Sequence, residues 1–575
     1  MKRCPECRRD YYDDTLLYCL EDGVPLVQGA VAAPQDAADE PATAILHETT
    51  PPAEAPTRAQ IRTTEQTAVL PSGIGATAKK SLDKRLLLAP VALAVIVLGG
   101  YFGYRYFSSS TSQISSIAVM PFQNDSTSAD SEYLSDGIVE SLIYRLSQIK
   151  DLKVSPSSSV FRYKGKEIDS IKTGEELGVQ AVMTGRIAQR GDDLIVSVEL
   201  VDVSNNKTLW GERYNRSMSE LLATQREIAN EIARKLRIEL AGESGPGLQK
   251  SYTSNSKAYE LFLKGRFHYE KRTKADIEKG IDYYNEALAL DPNFALAYVG
   301  IANAYAVMPS YGFMDPKEVG PKAKAAAQKA LEIDPELAEA HAALANVAAI
   351  LFWDWKTAER EFVKALEMNP NDAITHIRYG TNYLLPMGRT GEAVSELKRA
   401  LELEPLSIVA GALLADTYLE DGHGDKALDQ IRATESLEPG HNMSAYWLMV
   451  IYVSKGMNKE ALEIAESRLL RTPNDQDSLG IAGSVYAKNG EREKAEKILD
   501  QFRELSKNQY VLDSYVAQIY GALGEKDKAF AELEKAFERR DFFIASMRTH
   551  PMFSDLRDDP RFDQIAKRAG LPDRK

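Results

Sequence analysis

The spacing of apolar positions changes three times along this chain. From Leu86 to Tyr104 the sequence LLLAPVALAVIVLGGYFGY runs nineteen residues without a formal charge, about the helix length that crosses a bilayer core. Between 114 and 241 short apolar runs alternate with amphipathic ones, which predicts a mixed α/β domain. Ile117 to Phe122 reads as a strand ended by proline, and Leu134, Ile138, Leu142, Leu146 and Ile149 mark a helix over Tyr133–Ile149. A short strand at Leu152–Val154 and a helix at Ile171–Leu177 follow. Three strands come next, at Val179–Ile187, Asp193–Val203 and Thr208–Tyr214, with turns at Arg190–Asp192 and Ser204–Asn206. A helix over Ser219–Leu240 closes the domain.

From 257 to 541 the period is helical and the helices repeat. Gly388, Gly422, Gly456, Gly490 and Gly524 recur every 34 residues, and Ala393, Ala427, Ala461, Ala495 and Ala529 keep the same step. Pro370, Pro405, Pro439 and Pro473 end successive units, and Tyr418, Tyr452, Tyr486 and Tyr520 recur with them. Glycine permits a turn between two helices, a small alanine lets them approach, and proline stops the second. Looser units end at Pro292, Pro335 and Pro370; the 43-residue step between the first two places an insertion in Met308–Pro316, with Tyr311 and Phe313 as its apolar residues. About eight repeats are expected, followed by a segment at 542–575 read as a cap giving the array a polar end. A 34-residue unit of this kind resembles the tetratricopeptide repeat, which implies an all-α solenoid with a concave face lined by the first helix of each pair.

The α/β segment carries IAVMPFQND, YLSDGIVESLIYRLS, VFRYKGK, ELGVQAVMTGRI and VELVDVSNNKTLWGERY. This succession resembles the TolB-like N-terminal domain. The resemblance implies recognition in the bacterial envelope ahead of a repeat array, and it carries no catalytic residue set. Trp210 with Glu212 and Arg213 admits a ligand edge, although a core-packed tryptophan is the simpler reading.

Charge orients the apolar run at 86–104, which is read as a membrane helix over 85–107. Lys79, Lys80, Lys84 and Arg85 precede it, and only Arg105 follows before Lys150. The positive-inside rule then predicts a single-pass inner-membrane helix with a cytoplasmic N-terminus and an extracytoplasmic C-terminal region. Residues 29–80, rich in Ala, Pro, Thr and Glu, read as a disordered tether. The net charge of −14 makes extensive contact with nucleic acid improbable for the chain as a whole.

The three cysteines all lie in the first twenty residues, on the predicted reducing side. Within residues 1–28, Cys4-Pro-Glu-Cys7 is followed by Cys19 and Asp22, a zinc-ribbon-like knuckle whose thiolates and carboxylate suit tetrahedral Zn2+. A metal-free turn and a redox C-x-x-C remain alternatives, the latter without the βαβ context it requires. Elsewhere the seven histidines are scattered. Neither G-x-S-x-G nor H-E-x-x-H occurs, and Gln249 before Lys250 spoils a phosphate loop. No enzyme and no small-molecule substrate are expected.

Taken together, the fold class is multidomain: knuckle, membrane helix, TolB-like α/β domain and TPR solenoid. The expected function is non-enzymatic binding of a protein or peptide in the solenoid groove, as a scaffold or sensor. Asn346, Arg378, Asn382, Asp416, Trp447 and Gln518 are the candidate contacts from inner-helix positions; a merely solvated helix face is the alternative for each. The alternative function is a one-component transmembrane signalling or transcriptional regulator with the knuckle as its cytoplasmic output.

Overall fold

The computed structural model describes residues 2–3, 10–11, 27–28, 114–126, 132–147, 149, 152–236 and 252–573. The chain divides into two units, Met1–Leu98 and Gly99–Lys575. In the first, the two-residue strand Lys2–Arg3 pairs antiparallel with Asp10–Tyr11 on one side and Val27–Gln28 on the other, so that Arg3 lies opposite both Asp10 and Val27. Cys4, Cys7, Cys19 and Asp22, the tether at 29–80 and the expected membrane helix at 85–107 fall outside the described residues. Among the described residues no helix is long and apolar enough to cross a membrane.

The second unit opens with the α/β domain. Its strands are β1 (Ser116–Val119), β2 (Gln123–Asn124), β3 (Lys153–Val154), β4 (Ala181–Arg190), β5 (Asp193–Asp202) and β6 (Lys207–Ser217). They form one sheet in the order β3-β1-β4-β5-β6, with β2 also pairing β4. The pairings of β1 with β3 and β4 are parallel, and those of β5 with its neighbours are antiparallel. Every residue of β1 is buried, as a strand covered on both faces requires. The helices are α1 (Glu132–Ser147), α2 (Ser157–Phe161), α3 (Ser170–Leu177) and α4 (Leu221–Lys235). Asp169 caps α3 by accepting from the amides of Ile171 and Lys172, and Gly178 ends it at φ 63°. Trp210 is buried, and its indole N–H donates to Glu212 at 3.1 Å.

Among the described residues eight antiparallel helix pairs follow. They are α5 (Ser256–Glu270) with α6 (Lys274–Leu290), α7 (Ala295–Val307) with α8 (Pro316–Ile333), α9 (Ala338–Val347) with α10 (Trp355–Met368), and α11 (Ala373–Tyr379) with α12 (Thr390–Leu403). The remaining four are α13 (Ile408–Glu420) with α14 (Gly424–Leu437), α15 (Asn442–Ser454) with α16 (Asn458–Arg471), α17 (Gln476–Lys488) with α18 (Arg492–Leu505), and α19 (Asp513–Ala522) with α20 (Lys526–Arg539). The five periodic glycines all adopt φ between 69° and 79°, a left-handed turn that disfavours any side chain. The five periodic alanines are fully buried where the paired helices meet.

The α/β domain and the first repeats share one core. Ile138 and Leu142 of α1, Phe262 and Leu263 of α5 and Phe294 before α7 belong to a single apolar cluster. Around it Arg266 pairs with Glu140 at 2.5 Å, and the Tyr133 hydroxyl donates to Glu260 at 3.0 Å.

The C-terminal segment departs from the polar cap expected. Two 3-10 turns, Phe542–Ile544 and Pro551–Leu556, and the helix α21 (Pro560–Arg568) bury Phe543, Ile544, Met547, Met552, Phe553 and Leu556. So many apolar side chains in so short a segment cannot be left in water. They pack onto the inner helices α15 and α19. The end of α20 and the residue after it also reach back to early repeats. Arg540 donates to the carbonyl of Phe352 at 2.9 Å and lies over the Trp353 ring, and Arg539 donates to Asp315 at 3.0 Å. The inserted loop packs on the array in the same way: Tyr311 stacks on Phe313, and Gly312 abuts the Gln476 side chain.

Candidate partner-binding surface

One inner-helix position recurs eleven residues after each repeat-ending proline: Asn303, Asn346, Thr381, Asp416, Val450 and Ser484, with Gln518 one period later. Helices α9 and α11 both run on into π turns, Ala348–Phe352 and Gly380–Leu384. Such turns rotate the side chains beyond them relative to a regular helix.

In the early repeats Asn303 and Asn346 of this row bond to Arg378 and Asn382, which flank it in the fourth repeat. Asn382 donates from Nδ2 to Asn346 Oδ1 at 2.9 Å, and Arg378 donates from Nη1 to Asn303 Oδ1 at 3.0 Å. The second bond joins the inner helices of repeats two and four across the third. Asn303, Arg378 and Asn382 are each partly open to solvent, whereas Asn346 is buried. Among the described residues no ion pair is found for Arg378, so its guanidinium keeps a charge that no neighbouring carboxylate neutralises. Amides offer a donor and an acceptor each, the complement of an extended peptide backbone.

In the late repeats the same row is covered. Asp416 and Gln518, and Trp447 one turn before the row, are buried and not on an open groove. Trp447 packs against the His550 ring at 5.5 Å, and the neighbouring Tyr446 hydroxyl meets His550 Nε2 at 3.1 Å. Burial pushes the Asp416 carboxyl well up, and the neighbouring Glu420 adds to it. Burial likewise pushes Glu420 up to about 8, against the opposing hydrogen bond of Thr549 and charge of Arg557, both on the covering segment. His550 is driven the other way, down to about 3, by burial and by Arg557.

Of the six candidates, the structure therefore brings Asn346, Arg378 and Asn382 together and separates the other three from solvent. Asn303 was missed, although it shares the proline offset of Asn346 and the period alone would have found it. The covering of Asp416, Trp447 and Gln518 left no local signal, because it depends on residues more than thirty positions away in the chain. The metal candidates Cys4, Cys7, Cys19 and Asp22 lie outside the described residues.

Residues 112–232 match the family described as HilA/YgeH-like transcriptional regulator, second domain, and residues 516–541 match the tetratricopeptide repeat. A protein of Rhizobium meliloti (strain 1021) named "Putative adenylate cyclase 3" is 29% identical over 187 residues, 32% of this chain and 32% of that protein. The match thus spans about a third of that relative's length. "Transcriptional regulator HilA" of Salmonella typhimurium is 23% identical over 430 residues, 72% of this chain and 73% of that protein. Among solved structures, PilW, a type IV pilus biogenesis factor, is similar with a TM-score of 0.31 and 22% identity, covering 38% of this chain and 96% of that one. The chain carries tetratricopeptide repeats, a fold suited to binding other proteins.

Proposed function

We propose that this protein is a non-enzymatic, single-pass inner-membrane scaffold or sensor that binds an extended protein segment on the amide face of its early repeats. The observation that carries the reading is the network of Asn303, Arg378, Asn346 and Asn382 on three neighbouring inner helices. It presents backbone-like donors and acceptors, together with one uncompensated guanidinium, where the array is not filled by its own C-terminus. The TolB-like domain shares a core with the first repeats, so it acts with the solenoid as one recognition body. The membrane helix over 85–107 anchors the chain with its N-terminus in the cytoplasm. Zn2+ held by Cys4, Cys7, Cys19 and Asp22 would supply the stability that so short a knuckle lacks.

A photo-crosslinking side chain at position 382, compared with one at 447, tests the binding reading in cells. Adducts at 382 and none at 447 support it; adducts only at 447 place the partner elsewhere and overturn it. Labelling of the cysteines by a membrane-impermeant maleimide tests the topology, which requires them to be protected in intact spheroplasts. Native mass spectrometry of residues 1–30 at micromolar zinc tests the metal, and an apo mass alone rejects it.

A second reading is favoured by the family match over residues 112–232 and by the 430-residue likeness to a transcriptional regulator. In it the same extracytoplasmic region senses a partner, and the knuckle contacts nucleic acid in the cytoplasm. Fluorescence anisotropy with mixed DNA duplexes separates the two: salt-sensitive binding by the knuckle supports the regulator, and none at low salt removes it.

A further inference from the structure

Repeats three and four replace an apolar pair of positions by an acid and a base. Six and twenty-six residues after the repeat-ending proline, the later repeats carry Gly411 with Ile431, Ala445 with Ala465, and Leu479 with Leu499, all buried. At the same offsets the third repeat carries His341 with Glu361, and the fourth His376 with Glu396. His341 is 6% exposed, Glu361 7% and His376 8%.

The contacts of the two imidazoles are the same. His341 Nδ1 lies 2.5 Å from Glu361 Oε2, and its Nε2 lies 2.9 Å from the carbonyl of Pro335. His376 Nδ1 lies 2.5 Å from Glu396 Oε2, with Nε2 3.0 Å from the carbonyl of Pro370. A carbonyl oxygen only accepts, and so does an ionised carboxylate. An imidazole between two such acceptors donates from both nitrogens and is the cation. Glu361 is ionised: burial works against its charge, but the hydrogen bonds of His341 and Arg360 outweigh it and hold the carboxyl below its usual range. Arg360 reaches Glu361 Oε1 through Nε at 2.9 Å and Nη2 at 2.8 Å. Near the second pair, the Tyr379 phenol senses Glu396 together with Arg389, Glu359 and Glu392, and Asp372 is engaged by Thr375.

Each pair ties three elements together: the loop that ends one repeat, the inner helix of the next, and its outer helix. A buried ion pair is at best even with an apolar pair in stability, and the later repeats use the apolar solution. What the ion pairs add is dependence on a proton. They occur in the two repeats whose inner helices end in π turns and carry Asn346, Arg378 and Asn382. We infer that the His341–Glu361 and His376–Glu396 pairs make repeats three and four a proton-responsive segment, which holds the amide face in register while both imidazoles are charged and loosens it when they are not. The consequence for partner binding rests on the proposed function above; the conformational response does not.

Hydrogen exchange of the full chain, corrected for intrinsic rates, tests this between about pH 5 and about pH 8. Protection within residues 338–403 is expected to fall about tenfold more than within 442–505, whose equivalent positions are apolar. Replacing both pairs by leucine, as Leu479 and Leu499 stand in the seventh repeat, is expected to remove that excess. The double variant His341→Gln and His376→Gln is the second check, with low protection at every pH. Parallel loss in both segments of the unaltered chain, or an excess that survives either variant, overturns the inference. Absence of crosslinks at position 382 with the exchange response intact would reject the binding reading alone.

Discussion

The indole N–H of Trp355 donates to the backbone carbonyl of Ala569 at 2.8 Å, joining residues 214 apart in the chain. The third repeat is thereby tied to the last helix. With Arg539 at the end of α20 on Asp315 and Arg540 just after it on Phe352, the last repeat and the helix that follows it form a strut to the early repeats. Trp355→Phe keeps most of the ring packing and deletes the donor, so it is expected to cost about 1 kcal/mol. Urea unfolding followed by circular dichroism measures it.

Ending the chain at Arg539 has a larger effect of a different kind. It uncovers Tyr446, Trp447 and Tyr515, which now pack against Phe543 or His550. The truncated chain is expected to bind an apolar dye strongly and to unfold in two steps, with repeats six to eight melting first. An unchanged single transition by calorimetry would mean that the segment contributes nothing to the array.

The groups at this covered surface titrate in opposite senses. Glu420 is raised to about 8 when folded, against about 4.3 in the unfolded chain. Its contribution is therefore complete below about pH 4 and disappears as pH rises through about 8. His550 is lowered to about 3 when folded, so its contribution holds above about pH 6.5 and is lost as pH falls. Stability of the C-terminal half is expected to peak in weak acid. Glu420→Gln is expected to flatten the alkaline limb of a plot of melting temperature against pH and to leave the acid limb unchanged.

Two glycines serve different ends, and alanine separates them. At Gly490, with φ 79° and open space where a Cβ would stand, alanine is expected to cost about 1 kcal/mol through backbone strain alone. At Gly280 a Cβ would meet the carbonyl oxygen of Gly265 at 2.8 Å. Helices α5 and α6 must then move apart, at a cost of about 1–3 kcal/mol. Equal losses in thermal unfolding would contradict the distinction.

Much of this architecture was legible because its causes are local. The 34-residue recurrence of Gly, Ala and Pro marks turns and close helix contacts that each unit must solve for itself, and those glycines and alanines occupy the expected places. The strand alternation from Leu194 to Asp202 depends only on the two faces of a sheet. Asn346 and Asn382 could be nominated from helix phase, and they meet. Asp416, Trp447 and Gln518 came from the same phase and are covered, because helix phase says which way a residue points and not what lies opposite.

The sequence by itself therefore determined the repeat unit, its turns, the order of elements and the acid–base content of repeats three and four. The tertiary structure alone decided that the α/β domain shares a core with the first repeats, that His341 finds Glu361 and the Pro335 carbonyl, and that the C-terminus fills the late half of the concave face. The physical reason is range. Turn geometry and amphipathic period are set within a few residues. Apolar burial instead joins whichever surfaces the superhelix brings together, however far apart they are in the chain.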